Sequence, residues 1–189
     1  MNPTGLILAA GLSRRMGFPK ALLEWQGETY LDRQIRLFRA VCAEVLVVLR
    51  PGVEAQLTAC HRLAEARIVY NPDADRGQFS SLQSGLASTS ADAILFCPID
   101  YAHVAESTVQ LLATPHPAMV LQPSYHGQHG HPVRILRPVT DALLSAPVTS
   151  AARDVIRRFE RAFLEVDDPG VTLDADDPAA FAQLQERLA

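Results

Sequence analysis

The chain has 189 residues, a formal net charge of −4 and 48% hydrophobic residues. That length suits one domain over residues 1–189 with a sizeable core, and the mild acidity argues against a nucleic-acid surface. No apolar run is long enough to span a bilayer, and no basic leader with a cleavage site opens the chain. The expectation is a cytoplasmic protein with no nucleic-acid or membrane partner.

Leu6 to Ala10 is a short apolar run that predicts a buried strand. It gives way to Gly11-Leu12-Ser13-Arg14-Arg15-Met16-Gly17-Phe18-Pro19-Lys20. Gly11, Ser13 and Gly17 leave the backbone open to close approach by a ligand. Arg14, Arg15 and Lys20 add three cations, so the loop suits a polyphosphate. Ala9 and Ala10, just before the loop, would let a flat base lie against the strand end. The pattern is neither G-x-x-x-x-G-K-[ST] nor G-x-G-x-x-G, so neither a P-loop nor a dinucleotide fingerprint is present. Of the 17 Lys and Arg residues, only Lys20 is lysine. A compact ammonium on a flexible stem, unlike a planar guanidinium, can follow a moving phosphoryl charge.

Thr29 to Cys42 predicts a helix with Leu31, Ile35, Phe38 and Cys42 on one stripe. Val45 to Leu49 predicts a buried strand, Val53 to Ala66 a helix, Arg67 to Tyr70 a strand and Asn71 to Asp73 a turn. Phe79 to Ala87 predicts a short helix, with Gly77, Ser80 and Ser81 at its start, where backbone N–H groups are unpaired. Ala93 to Cys97 predicts a strand ending at Pro98-Ile99-Asp100. An acid at the end of a central strand suits a hard cation such as Mg²⁺, although Asp100 also suits a cap on the helix expected over Val104 to Ala113. Ala118 to Gln122 predicts a strand, Gly130 to Leu136 an extended segment, and Val139 to Leu144 and Ala151 to Phe159 helices. Phe163 to Val166 and Val171 to Leu173 predict short strands, and Asp177 to Leu188 a closing helix with Pro178 at its first position. Alternating strands and helices imply an α/β fold with a mostly parallel sheet covered on both faces, its ligands at the strand carboxyl ends. Cys42, Cys60 and Cys97 are widely spaced and odd in number, which suggests reduced buried thiols. His126, His129 and His131 fit no common zinc spacing.

The run from Leu8 to Lys20 fills every fixed position of L-A-A-G-x-S-x-R-M-G-x-x-K. It resembles the signature of the MobA-like nucleotidyltransferases, the molybdenum cofactor cytidylyltransferases among them. Gly77, Ser81 and Gly85 resemble that family's second motif, G-x-x-x-S-[LV]-x-x-G, in the form that holds a pyrimidine. Gly130-His131-Pro132-Val133 resembles its G-H-P-x segment, which faces the acceptor. The tail Asp174-Ala175-Asp176-Asp177-Pro178 resembles its D-x-D-T-P ending. The chain departs from the family at Tyr101-Ala102-His103, where relatives carry a proline soon after the aspartate.

The resemblance implies a three-layer, Rossmann-like domain of the nucleotide-diphospho-sugar transferase type. It implies transfer of CMP from CTP, or another NTP, to a phosphorylated small molecule, most readily molybdopterin, with release of pyrophosphate. Arg15, Lys20 and Asp100 are the implied catalytic residues. Leu8 to Gly11, Ser13, Arg14, Gly17, Gly77, Ser80, Ser81 and Gly85 are the implied nucleotide-binding residues. Asp100 with Asp174 or Asp176 is implied to hold Mg²⁺, and His131 to meet the acceptor. A molybdoenzyme or its chaperone is the implied protein partner. Two alternatives stay open: a nucleotidyltransferase for another small phosphate, and a non-catalytic nucleotide- or cofactor-binding protein.

Overall fold

The computed structural model describes residues 2–13 and 15–188. β1 (Thr4–Leu8) is buried along its whole length. It lies parallel to β4 (Glu44–Leu49) on one side and to β6 (Ala93–Pro98) on the other. A strand with neighbours on both edges and helices on both faces sees no water, so continuous apolar runs replace alternation. β5 (Arg67–Tyr70) extends the sheet beyond β4. Beyond β6 come β9 (Val133–Leu136), antiparallel to it, then β7 (Val120–Tyr125) and the edge strand β10 (Arg161–Glu165). The order is β10-β7-β9-β6-β1-β4-β5, with the two-residue β8 (Gln128–His129) paired to β7. A separate ribbon joins β2 (Glu24–Trp25) to β3 (Glu28–Thr29).

Alternate residues of the strands feed two cores. Ile7, Val47, Leu95 and Cys97 face one, with α1 (Tyr30–Arg39), α3 (Glu106–Ala113) and α6 (Pro178–Leu188). Leu6, Leu8, Val48 and Phe96 face the other, with α2 (Gln78–Ala87), α4 (Arg137–Ser145) and α5 (Ala152–Ile156). The result is three layers, as expected. Cys42, Cys60 and Cys97 are free and buried. Among the described residues, no helix is long and apolar enough to cross a membrane.

The helix expected over Ala151 to Phe159 stops at Ile156, and three other expected elements also differ. Val53 to Ala66 holds only two 3-10 turns, Val53–Gln56 and Leu63–Glu65. Its apolar spacing mimics a helix, but the backbone N–H groups of His61 and Arg62 donate to the Asp32 carboxylate on α1 (3.1 and 2.7 Å) instead of to carbonyls four residues back. Val171 to Leu173 is not a strand. Asp168 accepts from the Gly170 N–H and Pro169 follows it, which starts a 3-10 turn over Pro169–Val171. The helix expected from Val104 begins at Glu106, after Ala105. Asp100 does not cap it; the carboxylate of the distant Asp168 accepts from the Ala105 N–H (2.9 Å) and the Thr108 hydroxyl (2.7 Å).

Candidate active site

The carboxyl ends of β1, β4 and β6 open into a cavity of about 1080 Å³. Residues 8–13 and 15–21 form much of one wall, apart from Met16, and Gly77, Gln78 and Ser81 form part of another. The loop holds its own shape. The Ser13 carbonyl accepts from the N–H groups of Met16 and Gly17 (2.9 and 3.2 Å), and Ser13 Oγ accepts from the Lys20 N–H (2.9 Å). Ser13 has φ +47° and Gly17 φ +76°. Positive φ is easy for glycine and unusual for serine, so the side-chain bond of Ser13 supports a local strain. Arg14 lies outside the described residues.

At the base of the cavity Lys20 Nζ donates to Asp100 Oδ2 (3.0 Å) and to Asp176 Oδ1 (2.8 Å). Arg15 Nη1 donates to the other oxygen of Asp176 (3.2 Å). Lys20 is buried, whereas Arg15 is largely exposed. Burial pulls the Lys20 ammonium down, but its hydrogen bond to Asp176 and the charge of Asp100 outweigh this, so its pKa rises above 10.5. Burial pushes the Asp100 carboxyl up; Lys20 offsets part of that push, and the charges of Asp176 and Asp174 add to it. The hydrogen bond from Lys20 instead holds Asp176 below the ordinary carboxylate value. Two carboxylates thus converge where one ammonium does not fully compensate the buried one. Hard oxygens of this kind fit a divalent cation such as Mg²⁺, which takes one or two carboxylates beside phosphate oxygens. Of the two tail acids, Asp176 reaches Lys20 while Asp174 is exposed.

The other expected residues divide. Ser81 lines the cavity, and its hydroxyl oxygen accepts from Asn71 Nδ2 (3.0 Å). Ser80 is buried behind it: its hydroxyl reaches the carbonyls of Asp73 and Gly77 and accepts from the same amide. Gly77, at φ +99°, turns the chain into α2. Gly85 lies away from the cavity, where any Cβ would collide with Leu6 on β1, so its small size serves helix–sheet packing. His131 lies outside this cavity and lines a neighbouring one. Its ring sits 4.7 Å from that of Tyr101 and 5.9 Å from that of Phe96, and burial lowers its pKa to about 4. His129 stacks on Phe163 and His126 packs on Tyr125, so the three histidines do not converge as a zinc site would require.

Sequence reasoning missed Arg50. It follows β4, lines the cavity and forks onto Asp75 with two bonds (3.1 and 3.0 Å). The signal was Arg50-Pro51-Gly52, a turn directly after a buried strand, at the edge where ligands gather.

Residues 5–163 match the family model described as the MobA-like NTP transferase domain. The molybdenum cofactor cytidylyltransferase of Escherichia coli (strain K12) is 23% identical over 186 residues, covering 96% of this chain and 95% of that protein. A probable molybdenum cofactor guanylyltransferase of Bacillus cytotoxicus is 25% identical over 108 residues, covering 56% of this chain and 53% of that protein. Among solved structures, Rv0371c from Mycobacterium tuberculosis H37Rv superposes with a TM-score of 0.86 at 28% identity, covering 98% of both chains. A complex of that protein with manganese superposes at 0.81 and 25% identity, covering 98% of this chain and 99% of that one.

Proposed function

Because the chain belongs to the MobA-like NTP transferase family, we propose that residues 1–189 act as one cytoplasmic domain transferring CMP from CTP to the phosphate of molybdopterin. The observation that carries this reading is the meeting of Lys20, Asp100, Asp176 and Arg15 in a cavity walled by the phosphate-suited loop. The choice of CTP rests on the form of the Gly77–Gly85 motif, and on a cytidylyltransferase relative that matches over nearly the whole chain. The molybdopterin assignment rests on the names of the same relatives. A molybdoenzyme or its chaperone is the proposed recipient of the product.

In this mechanism the loop backbone, Arg15 and Lys20 receive the triphosphate. Arg15 and Lys20 neutralise its charge, and Lys20 follows that charge as it moves toward pyrophosphate. Asp100 and Asp176 are the residues that would hold Mg²⁺, with Asp176 taking the place the tail motif left open between it and Asp174. Bound there, the cation would supply Lewis-acid stabilisation of phosphoryl charge. The manganese complex of the mycobacterial relative supports a divalent metal in this fold. An oxygen of the acceptor phosphate forms the new bond to the α-phosphorus as the bond to the leaving pyrophosphate breaks. The protein contributes position and electrostatics, not a covalent intermediate. Ser80 and Gly85 act indirectly, by setting the start and seating of α2.

The test is pyrophosphate release from CTP and molybdopterin with Mg²⁺, for the parent and Asp100→Asn. The parent should turn over with CTP and far less with GTP. The variant should keep its melting temperature and lose turnover by at least about a hundredfold. Retained activity in the variant, or equal use of GTP, defeats the corresponding assignment.

A further inference from the structure

A second cavity, of about 630 Å³, lies beside the first. Leu8, Phe96, Val133, Gln122 and Arg161 line it, one residue from each of β1, β6, β9, β7 and β10. Those strands are successive neighbours in the sheet. The cavity is therefore a trough across the sheet, spanning four strand spacings or roughly 19 Å. Its near end, at Leu8, Gly77 and Gln78, is shared with the first cavity. Phe79, Leu82 and Phe96 give its middle an apolar wall.

The far end is basic. Arg153 on α5, Arg157 just after it and Arg161 at the start of β10 all line the trough, spaced four residues apart. No aspartate or glutamate lines it among the described residues. Arg153 has Asp154 at 3.8 Å, a distant and exposed pairing. Arg161 lies over the Phe163 ring at 5.2 Å, and that ring stacks on His129 at 3.7 Å. Three guanidinium groups lining one trough with no lining acid make its far end positive, which attracts an anion there. Their planar forks suit phosphate, carboxylate and similar oxyanions bidentately.

We infer that Arg153, Arg157 and Arg161 form an anion-binding station, so that the acceptor is an elongated molecule with two anionic groups. Its reactive phosphate lies at the Leu8–Gly77 end, its apolar or planar middle against Phe79 and Phe96, and its second anionic group at the arginines. This inference rests on the acceptor-transfer reading above but not on which acceptor is used.

The test compares calorimetric binding of a long-chain alkane α,ω-bisphosphate with that of the alkyl monophosphate of the same chain. The parent should hold the bisphosphate at least about tenfold tighter, because the second phosphate adds charge-assisted hydrogen bonds. The double variant Arg157→Ala/Arg161→Ala should lose that ratio while its thermal shift with CTP and Mg²⁺ is unchanged. The matching pair of Arg→Lys changes should keep most of it, since cationic charge remains. Equal affinities in the parent, or a ratio that survives the double alanine change, overturn the station. A parent that discriminates between the probes yet releases no pyrophosphate with molybdopterin keeps the station and loses the acceptor assigned above.

Discussion

Two segments meet at Lys20, and they are held in place by opposite means. The 11–20 loop is closed by its own atoms: Ser13 binds Met16, Gly17 and Lys20, the last only seven positions away. The 168–176 tail is hung from distant parts of the chain. Asp168 is bonded to Ala105 and Thr108, 63 and 60 positions away, and His103 Nε2–H donates to the Leu173 carbonyl across 70 positions (2.7 Å). The His131 N–H adds a bond to the Val171 carbonyl (3.0 Å). A locally closed loop presents its cation with little help from the fold. A remotely hung tail presents Asp176 only once β6, α3 and β9 are in place.

The sharpest way to break this comparison lies at the meeting point itself. Lys20→Arg keeps the charge, but a planar fork cannot take the place of an ammonium bonded to both Asp100 and Asp176. Its turnover should fall by about 2–4 kcal/mol of transition-state stabilisation, read as pyrophosphate release. Near-normal kcat would show that charge alone suffices.

On the tail side, Asp168→Ala removes a buried carboxylate that accepts three hydrogen bonds. We expect about 3 kcal/mol of destabilisation in urea unfolding, since hydrogen bonds to charged groups are the costly ones to lose. Turnover should also fall in the protein that remains folded, because Asp176 loses its anchor. A stable variant with normal activity would mean that the tail holds itself.

The next effect depends on pH. His103 is buried, and burial lowers its pKa to about 4 from 6.5 despite the bond to Leu173. The unfolded chain then binds the proton more readily than the folded one, so this stability is present above pH 6.5 and is lost as pH falls toward 4. Between pH 7 and pH 5 folding should weaken by about 2 kcal/mol from this residue. His103→Asn should flatten that part of the profile; an unchanged slope would place the titration elsewhere.

The smallest expected effect is on the loop side. Ser13→Ala removes one hydrogen bond, to the Lys20 N–H, and should cost about 1 kcal/mol or less in unfolding. A cost as large as that of Asp168→Ala would erase the contrast between the two segments.

Much of the site was legible because its parts are local. A buried apolar strand followed by small and basic residues announces its loop within twenty positions, and the single lysine stands out without any fold. Asp100 was legible as the acid ending a central strand, and Gly77 as the turn into α2. Gly85 was expected among the nucleotide-binding residues, but it lies away from the cavity, and the approach of its backbone to Leu6 is a packing fact that the sequence does not show. The helix expected over Val53 to Ala66 failed because its spacing was read without Asp32, which claims two of its N–H groups from another helix.

What the sequence by itself determined is therefore the strand–helix alternation, the phosphate-suited loop with its one lysine, and the acid at the end of β6. Only the tertiary structure decided that Asp176 and not Asp174 meets Lys20, 156 positions away, that Asp168 rather than Asp100 starts α3, and that Arg153, Arg157 and Arg161 share a trough with Leu8. The division has one physical reason. Bonds between near neighbours depend on backbone preferences that each residue carries with it, whereas bonds across the chain depend on where the assembled sheet carries their partners.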